Sequence, residues 1–243
     1  MSKNKYTNVA IIGASGSIGR ALVQKLALNS KITNIFALSR SKTQFQSSKI
    51  RSYSFEFEKE ETIETAAKLI ARYGPLDLVI IATGTLHGKE LTPEKNIKDL
   101  STWKFEKIFL VNTFGPALVL KHFIPLLNNK ERSICATLSA RVGSISDNRL
   151  GGWYAYRASK SALNMIIKTT SIEVQRKSKN TVIVGLHPGT VDSELSRPFK
   201  GNVAAAKLFT PEFAAEKLLE VLDSITLAHN GKCFAWDGQE IPS

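Results

Sequence analysis

The stretch Asn8–Leu28, NVAIIGASGSIGRALVQKLAL, decides how the chain is read. VAII is apolar on both sides of a strand, as a strand covered on two faces requires. Gly13, Gly16 and Gly19 follow at once, and then a run with helical periodicity. In a strand–turn–helix setting, glycines make the tight turn and let backbone approach a pyrophosphate. They also let the helix pack close on the strand, while its N-terminus offers free N–H groups and a positive dipole end. The turn therefore predicts a dinucleotide site built from Gly13, Ser15, Gly16, Ser17, Ile18 and Gly19.

Outward from that turn, short β-branched runs alternate with helical patterns. Strands are expected at Asn8–Ile12, Asn34–Leu38, Arg51–Phe57, Leu76–Ala82, Ser133–Leu138, Thr181–Leu186 and Lys232–Trp236. Helices are expected at Ile18–Leu28, Glu61–Ala71, Phe105–Leu127 and Tyr156–Arg176. Alternation of this kind predicts βαβ units and a mainly parallel, doubly wound α/β sheet of seven strands with helices on both faces. No repeat, low-complexity linker or composition break divides residues 1–243, which read as one domain.

Bulk properties exclude several classes. Of the 243 residues, 43% are hydrophobic and 22% charged, an ordinary balance for a globular chain. No run of apolar residues reaches bilayer length, and the N-terminal apolar run is too short for a secretory signal core. Cys135 and Cys233 lie far apart without metal-ligand spacing, so two reduced cysteines and a cytoplasmic location are expected. The net charge of +12 attracts polyanions. Yet the densest basic cluster is only Arg176, Lys177 and Lys179, with no interleaved aromatics. Neither a specific nucleic-acid site, a membrane association nor a metal site is expected.

Cofactor choice is read at the end of the second strand, about twenty residues beyond the glycine turn. There the chain has Ser39 and Arg40 and no acidic residue to hold a ribose 2′-hydroxyl. Arg40 either binds a 2′-phosphate in charge-assisted fashion, which selects NADPH over NADH, or is a solvated surface arginine. In GGWYAYRASK, residues 151–160, Tyr156 and Lys160 stand four apart on one helical face, whereas Ala158 follows Tyr154 at that spacing. An ammonium near a phenol favours phenolate, so a lowered Tyr156 pKa is expected.

The glycine turn, Asn112 in FLVNTFGP, Tyr156 with Lys160, and HPGTV at 187–191 together resemble the short-chain dehydrogenase/reductase family over essentially the whole chain. LSARVGSIS, GGWYAYRASKSALN and AWDGQEIP resemble more narrowly its branch of C-factor and sniffer proteins. The resemblance implies a Rossmann domain and an NADP(H)-dependent carbonyl reductase acting on an aldehyde, ketone or quinone. It implies Tyr156 as proton donor and Lys160 as its partner and ribose ligand, with Asn112 holding a water that links the lysine to solvent. Pro188, Gly189 and Val191 would line the nicotinamide, with Ser193 in place of a usual threonine. A homodimer through Phe105–Leu127 and Tyr156–Arg176 is implied too, with Ala155, Ala162, Met165, Ile166 and Ile172 as its apolar stripe.

The departures from the family pattern are specific. The turn is GxxGxxG rather than GxxxGxG, a spacing found in the family's extended branch. Ile81, Ala82, Thr83 and Gly84 replace NNAG, and Glu56 replaces an aspartate. The catalytic serine of SSxxG is Ala140, which leaves Ser139 or Ser144 to serve. Ser139 is the catalytic candidate, although neighbours on a strand face opposite ways. The loss admits a second reading, a cofactor-binding signalling or regulatory protein with little turnover. Trp153, Phe199, Leu208 and Phe209 form either a substrate pocket under a lid at 193–209 or ordinary core. His87 reads as solvated, His122 as structural, and His187 as lining the cofactor cleft.

Overall fold

The structure, a computed structural model, describes residues 6–202 and 207–242. The strands are β1 (Asn8–Ile12), β2 (Asn34–Ser39), β3 (Ile50–Ser54), β4 (Leu78–Ile81), β5 (Ser133–Leu138), β6 (Thr181–His187), β7 (Thr190–Val191), β8 (Leu208–Phe209), β9 (Cys233–Ala235) and β10 (Glu240–Ile241). The helices are α1 (Ser17–Ala27), α2 (Glu60–Ala71), α3 (Thr102–Phe109), α4 (Gly115–Phe123), α5 (Tyr154–Lys177) and α6 (Pro211–Ser224). The main sheet runs β10-β9-β6-β5-β4-β1-β2-β3. Its first seven strands in chain order within that sheet are parallel, and β10 closes the edge antiparallel to β9. The expected seven-stranded sheet thus becomes eight-stranded, because Glu240–Ile241 turns back on β9.

Two layers cover the sheet. One face carries α1 and α6, with Val9, Ile11, Ile134, Val182 and Leu218 among the core residues. The other carries α2, α4 and α5, packed on Ile12, Phe36, Val79, Cys135, Leu163 and Ile183. β1, β4 and β5 are wholly buried, which is why VAII in β1 and LVII in β4 read as apolar runs. Burying one such side chain contributes about 1.5–3 kcal/mol, so these two layers dominate the stability. Helix α6 had no counterpart in the expectations. Its signals are nonetheless present: Thr210 accepts a hydrogen bond from the Phe213 N–H at 3.2 Å, and Pro211 occupies the first turn.

The expected helix Phe105–Leu127 begins at Thr102 and is not uniform. Leu110–Phe114, between α3 and α4, is wound as a π-helix that contains Asn112. The segment Thr102–Leu126 is long and apolar enough, by length and composition, to cross a bilayer, a property hidden from a search for uninterrupted runs. Here it packs on α2 and α5. Of the expected second apolar stripe on α5, Met165 and Ile172 are exposed, while Ala155 is buried under the helix start and Ile166 packs against the core.

The turn after β1 tolerates no side chain at two positions. Gly13 has φ +91°, and a Cβ there would meet the Ala82 carbonyl at 2.9 Å. A Cβ on Gly19 would lie 2.2 Å from the Gly13 oxygen. Gly19→Ala should therefore push α1 off the turn and destabilise the fold by about 2–3 kcal/mol. A thermal melt should show the midpoint falling by roughly 5–10 °C.

Candidate functional site

All described features of the site lie at the carboxyl ends of the parallel strands. The chain order reverses between β1 and β4, which opens a crevice at the switch point. A cavity of about 580 Å³ fills it. One lobe is walled by Ser15, Gly16, Ser17 and Ile18 from the glycine turn, Arg40 after β2, and Ala82, Thr83 and Gly84 after β4. Tyr156 and Lys160 from α5, with Pro188, Gly189 and Val191 after β6, complete that lobe.

Three expected cofactor residues stand behind this wall. Gly13 and Gly19 shape the turn, and the Gly13 and Ala14 N–H groups both donate to the Leu38 carbonyl, at 2.8 and 2.9 Å. Ser39 is buried, and its hydroxyl donates to the Ser41 carbonyl at 2.7 Å. Arg40 is exposed at the cavity rim. Glu56 carries an ion pair with Lys59, at 2.9 Å.

The lobe fits a dinucleotide on three counts. Gly16 caps α1 without a side chain, so the first-turn N–H groups face the cavity. Gly189, at φ +75°, brings bare backbone to the wall, and a Cβ there would strike Phe209 at 2.6 Å. Thr83 Oγ1 and His187 Nδ1 are buried without a hydrogen-bond partner, and both residues line the cavity. Buried polar atoms of this kind are costly unless a ligand meets them. Burial also pushes the His187 imidazole down to about 4, with the Arg141 charge adding to the effect, so the ring is neutral.

Tyr156 and Lys160 meet as their spacing requires. The ammonium lies 5.9 Å from the Tyr156 ring centre, and both side chains are buried, whereas Tyr154 points outward, 37% exposed. The expected fall in the tyrosine pKa is not found in the bare protein. Burial pushes the phenol up to about 12, and Lys160 donates to the Leu138 carbonyl at 2.9 Å rather than to the phenol. Burial also pushes Lys160 down to about 8. The phenol therefore holds its proton at neutral pH, the form a proton donor needs.

Asn112 is fully buried and lies behind Lys160 rather than on the cavity wall. Its Oδ1 accepts from the Thr85 N–H at 2.8 Å, and its Nδ2 donates to the Thr85 carbonyl at 2.9 Å and to Ser159 Oγ at 3.1 Å. It ties the loop after β4 to α5. Gly84 lies between Asn112 and Lys160, and a Cβ there would make only ordinary contacts with both, at 3.8 and 3.9 Å.

Of the two serine candidates, Ser139 lines the cavity and Ser144 does not. Ser139 donates to Asn164 Oδ1 at 2.6 Å, on the α5 side of β5. Ala140, one residue on, joins Leu86 and Tyr156 in a separate apolar cluster. Ser144 is buried and accepts from the Asp147 N–H at 3.1 Å. A methyl group therefore stands beside Tyr156 where the family pattern has a hydroxyl.

That cluster forms a second lobe of the cavity. Val142, Trp153, Leu195 and Phe199 pack around Leu86, Ala140 and Tyr156. Trp153 and Phe199 are expected pocket residues, but Leu208 and Phe209 are not part of it. They form β8, which pairs with β7, and Phe209 stands edge-on to Trp236 with 4.6 Å between ring centres. This ribbon clasps the base of the expected lid, of which residues 203–206 lie outside those described. His87 is not simply solvated: its Nε2 meets the Glu194 carbonyl at 2.8 Å and its ring stands edge-on to Phe199. His122 bonds Glu60 at 2.8 Å and ties α4 to α2. Among the described residues no group of three or more candidate metal ligands occurs.

The buried lysine predicts an activity–stability conflict. A fall from 10.5 to about 8 corresponds to about 3 kcal/mol, at about 1.4 kcal/mol per pH unit. Between pH 8 and 10.5 the unfolded chain holds more protons, so stability rises with pH across that window. Lys160→Met removes the penalty but leaves the Leu138 carbonyl without its donor, a loss of about 1 kcal/mol. Denaturant titrations should show the variant more stable by about 2 kcal/mol at pH 7, with the gain vanishing as pH approaches 10.5.

Comparison with known proteins agrees with this geometry. The family model described as short chain dehydrogenase matches residues 7–203. The C-signal protein of Myxococcus xanthus is 33% identical over 136 residues, which cover 56% of this chain and 76% of that protein. The structure of NADPH-bound carbonyl reductase from chicken fatty liver superposes with a TM-score of 0.85 at 22% identity, covering 99% of this chain and all of that one. Carbonyl reductase Sniffer of Drosophila melanogaster gives 0.83 at 19% identity, with 99% of this chain and 100% of that one covered. The chain belongs to the short-chain dehydrogenase family and is an NAD(P)-dependent oxidoreductase.

Proposed function

We propose that the protein is an NADPH-dependent carbonyl reductase with Tyr156 as the proton donor. The observation that carries this reading is the protonated, buried Tyr156 at the junction of the two lobes, beside Lys160. The dinucleotide, when bound, supplies the hydride. Tyr156 gives its proton to the carbonyl oxygen as the carbon is reduced, leaving an alcohol and a tyrosinate. Lys160 stabilises that tyrosinate and, lining the first lobe, would also hold the ribose of the dinucleotide. Asn112 fixes the loop after β4 against α5. The apolar second lobe excludes water from the reacting atoms.

Arg40 supports NADPH as the partner. It is the cation at the cavity rim after β2, where a 2′-phosphate would lie, with no acidic residue beside it in the loop Ser39–Thr43. The NADPH-bound state of the chicken enzyme is consistent with that choice. Ala140 leaves Tyr156 without a neighbouring hydroxyl donor, and loss of one oxyanion donor costs about 10²–10³ in turnover. A slow reductase is the expected outcome. The exposed Met165 and Ile172 on α5, with Phe114 before α4, supply an apolar face for a homodimer.

Three measurements test this. NADPH oxidation across a panel of aldehydes, ketones and quinones should show turnover, and Tyr156→Phe should reduce it about 10²–10⁴-fold with cofactor affinity unchanged. Tight NADPH binding without turnover on any carbonyl would overturn the reductase reading. Arg40→Ala should weaken NADPH binding about tenfold or more and leave NADH binding unaltered, with the difference shrinking as salt rises. Light scattering at moderate salt should give twice the 26.7 kDa chain mass.

A further inference from the structure

Helix α5 carries both Tyr156 and Lys160, yet it has no cap of its own. The residue before it, Trp153, is left-handed at φ 51° and ψ 44°, with no side-chain hydrogen bond to the first turn. Gly151 and Gly152 precede it at φ 64° and 63°, so three successive residues are left-handed and only two are glycine. A tryptophan adopts that backbone only when its surroundings enforce it. The enforcing group is Glu94, on the loop after β4. Its backbone oxygen accepts the Trp153 N–H at 2.6 Å, and its Oε2 accepts the Ala155 N–H at 3.3 Å. The latter is the bond an N-cap side chain would make, here supplied from far away in sequence. Glu94 is only 2% exposed, and its negative charge sits at the positive end of α5.

This backbone aims the indole. Trp153 stands edge-on to Tyr156, with ring centres 6.2 Å apart at 78°, and packs on Phe199 at 4.9 Å. We propose that Glu94 is a positioning residue that caps α5 from the β4 loop and holds Trp153 left-handed, making Trp153 the residue that sets substrate shape. The space beside Tyr156 is then bounded by the Trp153 and Phe199 rings and the Ala140 methyl, a slot for a flat unsaturated carbonyl compound rather than a branched one. The inference rests on the carbonyl-reductase reading.

The test uses the full chain, NADPH, and two aldehydes: 2-naphthaldehyde, which is flat, and 3,3-dimethylbutanal, which is branched. Glu94→Leu removes the carboxylate that accepts the Ala155 N–H and leaves the backbone acceptor of the Trp153 N–H, whereas Glu94→Gln keeps both acceptors. The flat-to-branched ratio of kcat/KM should fall about tenfold in Glu94→Leu, through KM for the flat aldehyde, and recover to within about threefold in Glu94→Gln. Equal losses on both aldehydes would reduce Glu94 to a structural residue and overturn the proposal. A readout without turnover separates the two readings: quenching of tryptophan emission by 2-naphthaldehyde, with Trp153→Phe defining the Trp153 share. If no carbonyl is reduced but that quenching is lost in Glu94→Leu and kept in Glu94→Gln, the reductase reading fails and the positioning role stands. Quenching equal in all three proteins overturns the positioning role whatever the activity.

Discussion

The close approach of α1 to the end of β1 governs the rest of the molecule. With no atom between the Gly19 Cα and the Gly13 carbonyl, the helix starts directly on the strand end. Both N–H groups of Gly13 and Ala14 then reach the Leu38 oxygen and pin the tip of β2 beside the turn. Arg40 follows two residues later, so one backbone contact sets the separation between the helix N-terminus and that cation. An extra methyl group at this point would be felt at both ends of a bound dinucleotide.

The second lobe follows a different logic, in which burial does the tuning. Lys160 and Tyr156 are both shifted by desolvation, and in opposite charge states: the lysine towards neutral amine, the tyrosine towards neutral phenol. Low dielectric makes any charge that develops there depend on nearby donors. Ala140 supplies none, and Ser139 is committed to Asn164. The site thus sets a protonated tyrosine beside an atypically apolar wall.

Much of this was legible in the chain. Parallel strands buried on both faces must be apolar throughout, so VAII and the LDLVII run announced β1 and β4. The four-residue spacing separated Tyr156 from Tyr154 correctly. Spacing says which side chains are neighbours on a helix, but not where a long ammonium points, and the Leu138 carbonyl drew Lys160 away from the phenol. β7, β8 and β10 are two residues each, too short for any periodicity. The link from Glu94 to α5 joins elements separated by 61 positions, and no local pattern could carry it. Helix α6 is the one omission for which Thr210, Pro211 and the apolar positions Ala214, Leu218 and Val221 had supplied the signal.

The β7–β8 ribbon has a consequence for how such a site can diversify. Thr190 and Val191 pair directly with Leu208 and Phe209, and the Asp192 N–H donates to the Phe209 carbonyl at 2.7 Å. The ends of the intervening segment are therefore fixed side by side by backbone bonds. Closing a loop between fixed ends costs only about 0.6 kcal/mol more for each doubling of its length. Insertions, deletions and replacement between Asp192 and Lys207 would leave the main sheet in place. The segment behaves as an exchangeable cassette, through which a lineage can alter what the apolar lobe admits without refolding the protein that holds it.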